Sequence, residues 1–323
     1  MIKCNFKTII GLLLSIIAIV FIVNYVNFNQ VWFNLKKLNT KTIVFALIVY
    51  LVSIMLRSYR WRYIIKQRFN IPFPIILKTT IYGYMLNQLL PAKLGELGRA
   101  EYLANRFKKG RIFFLGTIIA ERIFDIFIVL LFLISSVMLS ETILNLFSAN
   151  YIPVVVILFV TVSGIYVLYN IAILKNLTNY LPEILKEFIN RIINNIEKAF
   201  GLFGAPKQII YLSGLTFIIW CFTCLIYYLI LTDLEISIPY YAYFFVVSAG
   251  TFGMVIPSTS ANVGVYHAVA MGALMVFMVE KDQALSFAII AHAFDFFPCI
   301  IMSGFIIGGK QIWEIMLKLK ESV

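Results

Sequence analysis

Long apolar runs constrain this chain more than any other feature of its sequence. Six stretches are predominantly apolar, at 8–28, 42–63, 112–139, 151–174, 208–231 and 284–308. A helix needs about 20 such residues to cross a bilayer core of roughly 30 Å. Charged residues make up only 13% of the chain, against about 25% in a typical soluble domain. The sequence therefore predicts an all-α, polytopic integral membrane protein with six transmembrane helices.

The charged residues indicate how these helices are oriented. Basic residues cluster in 57–68, 99–111 and 310–320, whereas the connections 140–150 and 232–239 contain three acidic residues and no lysine or arginine. Cytoplasmic loops are enriched in lysine and arginine. We therefore expect a multi-pass protein of the cell membrane with both termini in the cytoplasm. The same rule explains the net charge of +12 without nucleic acid as a partner.

Two further apolar segments are interrupted by glycine and proline. The first, 72–98, lies between two basic flanks and is too short for two full crossings at 1.5 Å per residue. Pro91 removes a backbone donor and Gly95 permits a tight reversal. This segment is predicted to enter the membrane from the cytoplasm and to return, around a cavity, because broken backbone survives at membrane depth only there or inside protein.

The second interrupted segment, 241–279, is predicted to be the mirror image of the first. Pro257 and Gly264 break it, and it lies between connections that are expected to be outside. Two re-entrant hairpins from opposite faces are typical of an inverted-repeat transporter with a site near the membrane midplane. The alternative is two full crossings in the second segment and a membrane-parallel helix in the first.

Four motifs give this chain a resemblance to a known family. They are "YRW" at 59–61, N-x-x-x-P-A-K-x-G-E-x-x-R from Asn87 to Arg99, E-R-x-x-D from Glu121 to Asp125, and P-S-x-x-x-x-x-G from Pro257 to Gly264. Together they resemble the transmembrane, flippase-like domain of the lysylphosphatidylglycerol synthase family, over about residues 8–308.

The resemblance implies that residues 1–323 form a single flippase-like domain that moves a lipid between leaflets. In the full synthases a cytosolic aminoacyl-transferase domain follows, and none is expected here because the sequence ends at Val323. His267 stands where members of the family commonly have a glutamate. That glutamate would relay protons or bind a headgroup, so His267 is either a substitute for it or a packing residue.

Charged residues inside the apolar runs are the best candidates for a site. Glu121 lies about nine residues into its run, so Glu121, Arg122 and Asp125 cannot form a solvated face. At this spacing Arg122 reaches Asp125. Such a group is an internal ion pair, a contact to a lipid phosphate, or both.

Arg99 is the leading candidate to bind phosphate, because a guanidinium group binds phosphate oxygens through two parallel hydrogen bonds. Glu96 and Glu101 are expected to hold it when no lipid is bound, and His292 and Asp295 are predicted to form a second intramembrane pair. The candidate substrate-binding residues are Asn87, Glu96, Arg99, Glu121, Arg122, Asp125, Ser258, Asn262, His267, His292 and Asp295, and the hairpin breakers are Pro91, Gly95, Pro257 and Gly264.

Residues 175–205 form the connection between the two halves of the chain. Leucine, isoleucine and phenylalanine recur in it at helical spacing, with charged residues on the other faces. This pattern predicts an amphipathic helix lying in the membrane interface.

These observations favour a flippase for an anionic phospholipid or a polyprenyl-phosphate-linked lipid. The alternatives are an intramembrane lipid-modifying transferase, with Glu96, Glu121 or Asp125 as base, and an accessory subunit of a cell-envelope lipid pathway. The sequence contains no nucleotide-binding motif and no cluster of metal ligands, so we expect no cofactor, no metal and no enzyme activity. The expected partners are anionic membrane lipids, with a homodimer and a separate lipid-modifying enzyme as open alternatives.

The charge asymmetry predicts which connections face outward. Single cysteines at positions 146 and 236 should react with an impermeant thiol reagent added to intact cells, and one at position 109 should not. Equal labelling at all three positions would contradict this topology.

Overall fold

The structure is a computed structural model, and it describes residues 20, 22–24, 26–90, 93–141, 143, 206–254 and 262–307, with single residues at 182, 183, 186 and 190. Every regular element in this part of the chain is an α-helix, so the all-α prediction holds there. The described helices are α1 (Phe28–Leu35), α2 (Thr40–Lys66), α3 (Phe73–Leu89), α4 (Gly95–Phe107), α5 (Arg111–Leu139), α6 (Pro206–Asp233), α7 (Tyr240–Gly253), α8 (Val265–Met275) and α9 (Lys281–Ile307).

Four of these helices are long and apolar enough to cross a membrane. They are α2, α5, α6 and α9, and their apolar windows contain at most two charged residues each. Four of the six predicted crossings therefore correspond to observed helices. Most of the run 8–28 and all of 151–174 lie outside the described residues, as does nearly all of the amphipathic segment 175–205.

Polar contacts join the connections at one end of the helix bundle, which we call the Asp233 end. The Asp233 carboxylate accepts hydrogen bonds from the Asn39 amide at 2.8 Å and the Thr42 hydroxyl at 2.9 Å. Lys37 donates to Glu235 at 2.6 Å, and this ammonium lowers the pKa of the exposed Glu235 carboxyl. Lys37, one of three lysines in 36–41 that run against the charge asymmetry of the other loops, thus has an acidic partner.

The opposite end of the bundle, which we call the Arg111 end, carries basic and aromatic side chains. Phe69 packs edge-on against Phe113 at 5.0 Å between ring centroids. Lys109 lies over the Phe69 ring, and Arg111 donates to Glu101 at 3.1 Å. The connections from α2 to α3 and from α4 to α5 therefore meet at this end.

Two pairs of short helices open at opposite ends. Helices α3 and α4, of 17 and 13 residues, form a pair that begins and finishes at the Arg111 end. Helices α7 and α8, of 14 and 11 residues, form a pair at the Asp233 end, where Phe277 packs on Phe245 at 5.7 Å between centroids. All four are shorter than the roughly 20 residues of a straight crossing.

The reversal between α3 and α4 brings two glycines into close contact. Residues 91 and 92 at the tip are not described, and Lys93 adopts a left-handed conformation with φ of 53°. Beyond it the backbone of α4 lies against α3 so closely that a Cβ atom on Gly95 would overlap the Gly83 carbonyl oxygen and lie 2.6 Å from Asn87 Oδ1. Gly95 is therefore required by the packing of the pair.

This packing predicts the effect of adding a methyl group. Gly95→Ala should destabilise the protein by about 3 kcal/mol or prevent folding, because the added methyl group meets rigid backbone. Gly214→Ala in α6 is the matched control, since a Cβ there meets nothing within 4 Å and alanine favours a helix. Thermal unfolding in detergent would compare the two, and equal midpoints would contradict the close approach.

Candidate functional site

An arginine and an aspartate at the centre of the bundle form the strongest polar contact of the described chain. Arg60 of α2 is fully buried and donates to both carboxylate oxygens of Asp125 on α5, at 2.7 and 3.1 Å. Thr216 accepts a third bond from the same guanidinium at 2.8 Å, and the Trp220 indole donates to Asp125 at 3.2 Å. Helices α2, α5 and α6 are therefore joined through one buried pair.

Glu121, one turn before Asp125 on α5, extends this pair to a second arginine. Its Oε1 lies 3.5 Å from Arg60 Nη2, and its Oε2 accepts from Arg99 Nη2 of α4 at 2.7 Å. Arg99 is only 3% exposed and lies over the Trp61 ring, with its Cζ 4.5 Å from the ring centroid. A guanidinium in this position gains from both the carboxylate and the aromatic face.

A third arginine forms the accessible edge of the group. Arg122 Nη1 lies 3.3 Å from Asp125 Oδ2, and its Nε lies 3.2 Å from Glu96 Oε1. The side chains of Arg122 and Glu96 are 33% and 26% exposed, whereas those of Arg60, Arg99, Glu121 and Asp125 are nearly inaccessible. We call these six residues the arginine–carboxylate network.

The arginine–carboxylate network is balanced in charge, with three guanidinium groups and three carboxylates. Moving an unpaired charge into an apolar interior is very costly, and mutual pairing removes most of that cost. The Nε atoms of Arg60 and Arg99 nevertheless lack a hydrogen-bond acceptor among the described residues. The ion pairs of the network therefore stabilise one another, and two of its guanidinium groups keep an N–H donor without a hydrogen bond to a described residue.

The structure pairs Arg99 differently from the sequence prediction. We expected Glu96 and Glu101 to hold it, but its partner is Glu121, because α4 lies against α5 in a way that spacing along one helix cannot reveal. Glu96 pairs with Arg122, and Glu101 pairs with Arg111 near the surface. The expected contact between Arg122 and Asp125 is present.

Sequence reasoning missed Arg60, which we assigned to a cytoplasmic basic cluster. It lies in α2 with zero exposure, at the centre of the arginine–carboxylate network. A usable signal was its place in the "YRW" motif, inside an apolar helix where a charge needs a partner.

The break between α3 and α4 lies beside this network. Asn87 Oδ1 is buried and accepts no hydrogen bond from the described residues. Lys93 is exposed and interacts electrostatically with Arg122 and Glu96. Gly83 places its backbone against the Arg99 side chain. The predicted residues Asn87, Glu96 and Arg99 are thus brought together, while Pro91 lies outside the described residues.

A second polar group lies between α8 and α9. The rings of His267 and His292 are 4.8 Å apart, and the His292 ring lies 5.3 Å from that of Tyr266. Tyr266 shares a hydrogen bond of 2.8 Å with Tyr227 of α6. Asp295, half-buried one turn after His292, accepts through its backbone carbonyl from Gln88 at 3.2 Å.

The break between α7 and α8 is described only in part. Pro257 and Ser258 lie outside the described residues, whereas Asn262 and Gly264 both have positive φ angles, of 57° and 87°. The predicted pairing of His292 with Asp295 stays a prediction. The described residues of the two breaks form 3₁₀ and other turns and no α-helix, consistent with interrupted helices.

Apolar spanning helices around a buried, charge-balanced polar site define a polytopic α-helical membrane protein. The model of the lysylphosphatidylglycerol synthase TM region matches residues 8–303, and the chain belongs to this family. The expected resemblance is thereby confirmed over nearly the whole length of the chain.

Two relatives are similar to the chain over different lengths. A UPF0104 membrane protein of Pyrococcus horikoshii is 22% identical over 84% of this chain and 88% of its own. A UPF0104 membrane protein of Methanocaldococcus jannaschii is 29% identical over 39% of this chain and 38% of its own. No solved structure matches the chain.

The arginine–carboxylate network predicts a sharp loss of stability when one partner is neutralised. Asp125→Asn should destabilise the protein by about 3–5 kcal/mol, because it leaves the buried Arg60 without its principal counter-charge. Glu101→Gln breaks an exposed pair and should cost less than about 1 kcal/mol. The fraction of each variant that stays soluble in detergent after heating would measure the difference, and equal losses would contradict a central role for Asp125.

Proposed function

We propose that the protein moves a lipid with an anionic headgroup between the two leaflets of the cell membrane, with its termini in the cytoplasm. The observation that carries this proposal is the arginine–carboxylate network, whose three guanidinium groups lie together among the helices of the bundle, beside a helix break. Charged residues inside a membrane domain are typical of substrate pathways. A purely structural ion pair would not need three arginines, two of them with an Nε donor that has no acceptor among the described residues.

The network offers a graded route for a phosphate group. Lys93 is exposed, Arg122 is about one-third exposed and Arg99 is buried, so positive charge continues from the surface inward. A phosphate arriving at Arg122 would replace the Glu96 carboxylate there, and one reaching Arg99 would compete with Glu121. Because each step exchanges one oxyanion for another, the guanidinium groups stay paired throughout.

The two pairs of short helices account for how a lipid would reach the site from either side of the membrane. In it, α3–α4 and α7–α8 are re-entrant hairpins from opposite faces, an arrangement supported by their lengths and by their opening at opposite ends. In inverted-repeat transporters such interrupted helices place the site near the midplane, where either side can reach it. Lipid movement would then require small displacements of the hairpins around the arginine–carboxylate network.

The rival function, a lipid-modifying transferase, finds less support in the same geometry. A general base must accept a proton from its substrate, and Glu121 and Asp125 each pair with arginine at 2.7 Å. Such pairing occupies the oxygens that would have to accept the proton. The same geometry suits a site that binds an anion by exchange.

Purified protein in liposomes tests the proposal. Fluorescent phosphatidylglycerol, a fluorescent polyprenyl phosphate and the zwitterionic phosphatidylcholine would each be placed in both leaflets, and an impermeant reductant would then bleach the accessible fraction. We expect at least one anionic probe to become fully accessible while phosphatidylcholine does not. Rates no faster than in protein-free liposomes for both anionic probes would overturn the proposal.

Arg99 should set the selectivity of transport. Arg99→Lys keeps the charge but loses the planar pair of donors, so transport of the anionic probe should fall at least about tenfold, as expected for one lost charged hydrogen bond. Arg106→Lys is the matched control, since Arg106 is exposed and donates only to Tyr102 among the contacts described. Equal loss from both variants, or none from Arg99→Lys, would remove Arg99 from the site.

A further inference from the structure

The chain contains two histidines, and the fold brings them together inside the bundle. His267 lies in the first turn of α8 and His292 in the middle of α9, 25 positions later, yet their rings meet edge to face at 4.8 Å. His292 is only 9% exposed and His267 is half-buried. At this separation in an apolar interior, two imidazolium charges would repel each other strongly.

His267 also performs a structural task that depends on its protonation. Its Nδ1 accepts a hydrogen bond of 3.3 Å from the backbone N–H of Gly264, the N-cap residue that precedes α8. An Nδ1 that accepts cannot carry a proton, so the neutral ring holds its proton on Nε2. A proton added to Nδ1 would make it a donor facing the Gly264 N–H, so the hydrogen bond of the cap would be lost.

The groups close to the two histidines include a tyrosine ring and a carboxylate. Asp295 lies on α9, three residues after His292. Tyr266, which lies beside His292, shares a hydrogen bond of 2.8 Å with Tyr227 of α6. Asp295 interacts electrostatically with both tyrosines and with Arg57 of α2, which lies between the two halves. Helix α7 and the segment 254–264 contain no charged residue. Asp295 is therefore the nearest carboxylate able to balance a charge on the pair.

We propose that His267 and His292 form a proton-binding pair in which the first proton opposes the second, and that a proton on His267 releases the cap at Gly264. A proton on His292 leaves the cap intact, so only protonation of His267 uncaps the start of α8. Gly264, with φ of 87°, is held in a conformation that other residues rarely adopt. The cap and the helix break therefore lie at the same residue. This inference does not depend on lipid transport, although it would make the proton the coupling ion of the proposed flippase.

Because only two histidines are present, histidine labelled with ¹³C and ¹⁵N gives two ring systems by NMR in lipid nanodiscs. In the unaltered protein at neutral pH we expect the His267 ring to carry its proton on Nε2. Acidification between about pH 8 and pH 4 should add the two protons in separate steps, because the first opposes the second. A His267 ring with its proton on Nδ1, or no protonation in this range, would overturn the proposal.

Variants then separate the pair from its neighbours. In His292→Gln, the His267 ring should titrate at a higher pH than its step in the unaltered protein, since repulsion is removed. Hydrogen exchange at Gly264, corrected for its intrinsic pH dependence, should rise about fivefold through the same step, as expected for one lost hydrogen bond.

Two further variants serve as controls. His267→Phe lacks the acceptor, so exchange at Gly264 should be fast at every pH. Asp295→Asn should keep the two-step titration, with its first step at lower pH because a counter-charge is lost. Two results would refute the proposal. One is a titration midpoint of His267 that is the same with and without His292, and the other is a pH-dependent exchange step at Gly264 that persists in His267→Phe.

Discussion

The cost of placing charge inside an apolar bundle is the constraint on which the rest of this structure depends. Arg60, Glu121 and Asp125 are almost completely buried, and none of them is stable there alone. Their partners come from α2, α4, α5 and α6, so each pairing requires helices that are distant in sequence to meet at one depth. Each ion pair thus fixes the relative positions of these helices.

Close backbone packing makes this meeting possible. Arg99 reaches Glu121 because α4 lies against α3 with glycine facing glycine, at Gly83 and Gly95. A larger residue at Gly95 would push α4, and Arg99 with it, away from α3. The break between α3 and α4 therefore has a structural role of its own, because the close packing of these helices places the Arg99 side chain inside the bundle.

The two halves of the molecule use different chemistry at their breaks. The first half gathers full charges that balance one another, which suits a headgroup that is itself charged. The second half gathers neutral rings and hydroxyl groups, with one carboxylate, which suits a group that gains and loses a proton. Arg57, which interacts electrostatically with both Asp125 and Asp295, lies between these two sites.

The sequence by itself determined the all-α membrane class, four of the spanning helices, the family and the positions of both interrupted segments, because hydropathy, glycine and proline act locally along the chain. It also located the pair of Arg122 and Asp125, which one helix turn joins. Only the tertiary structure decided that Arg99 pairs with Glu121, that Arg60 is central, and that the two histidines meet. These contacts join different helices, and their distances depend on how the helices pack, which no local pattern encodes.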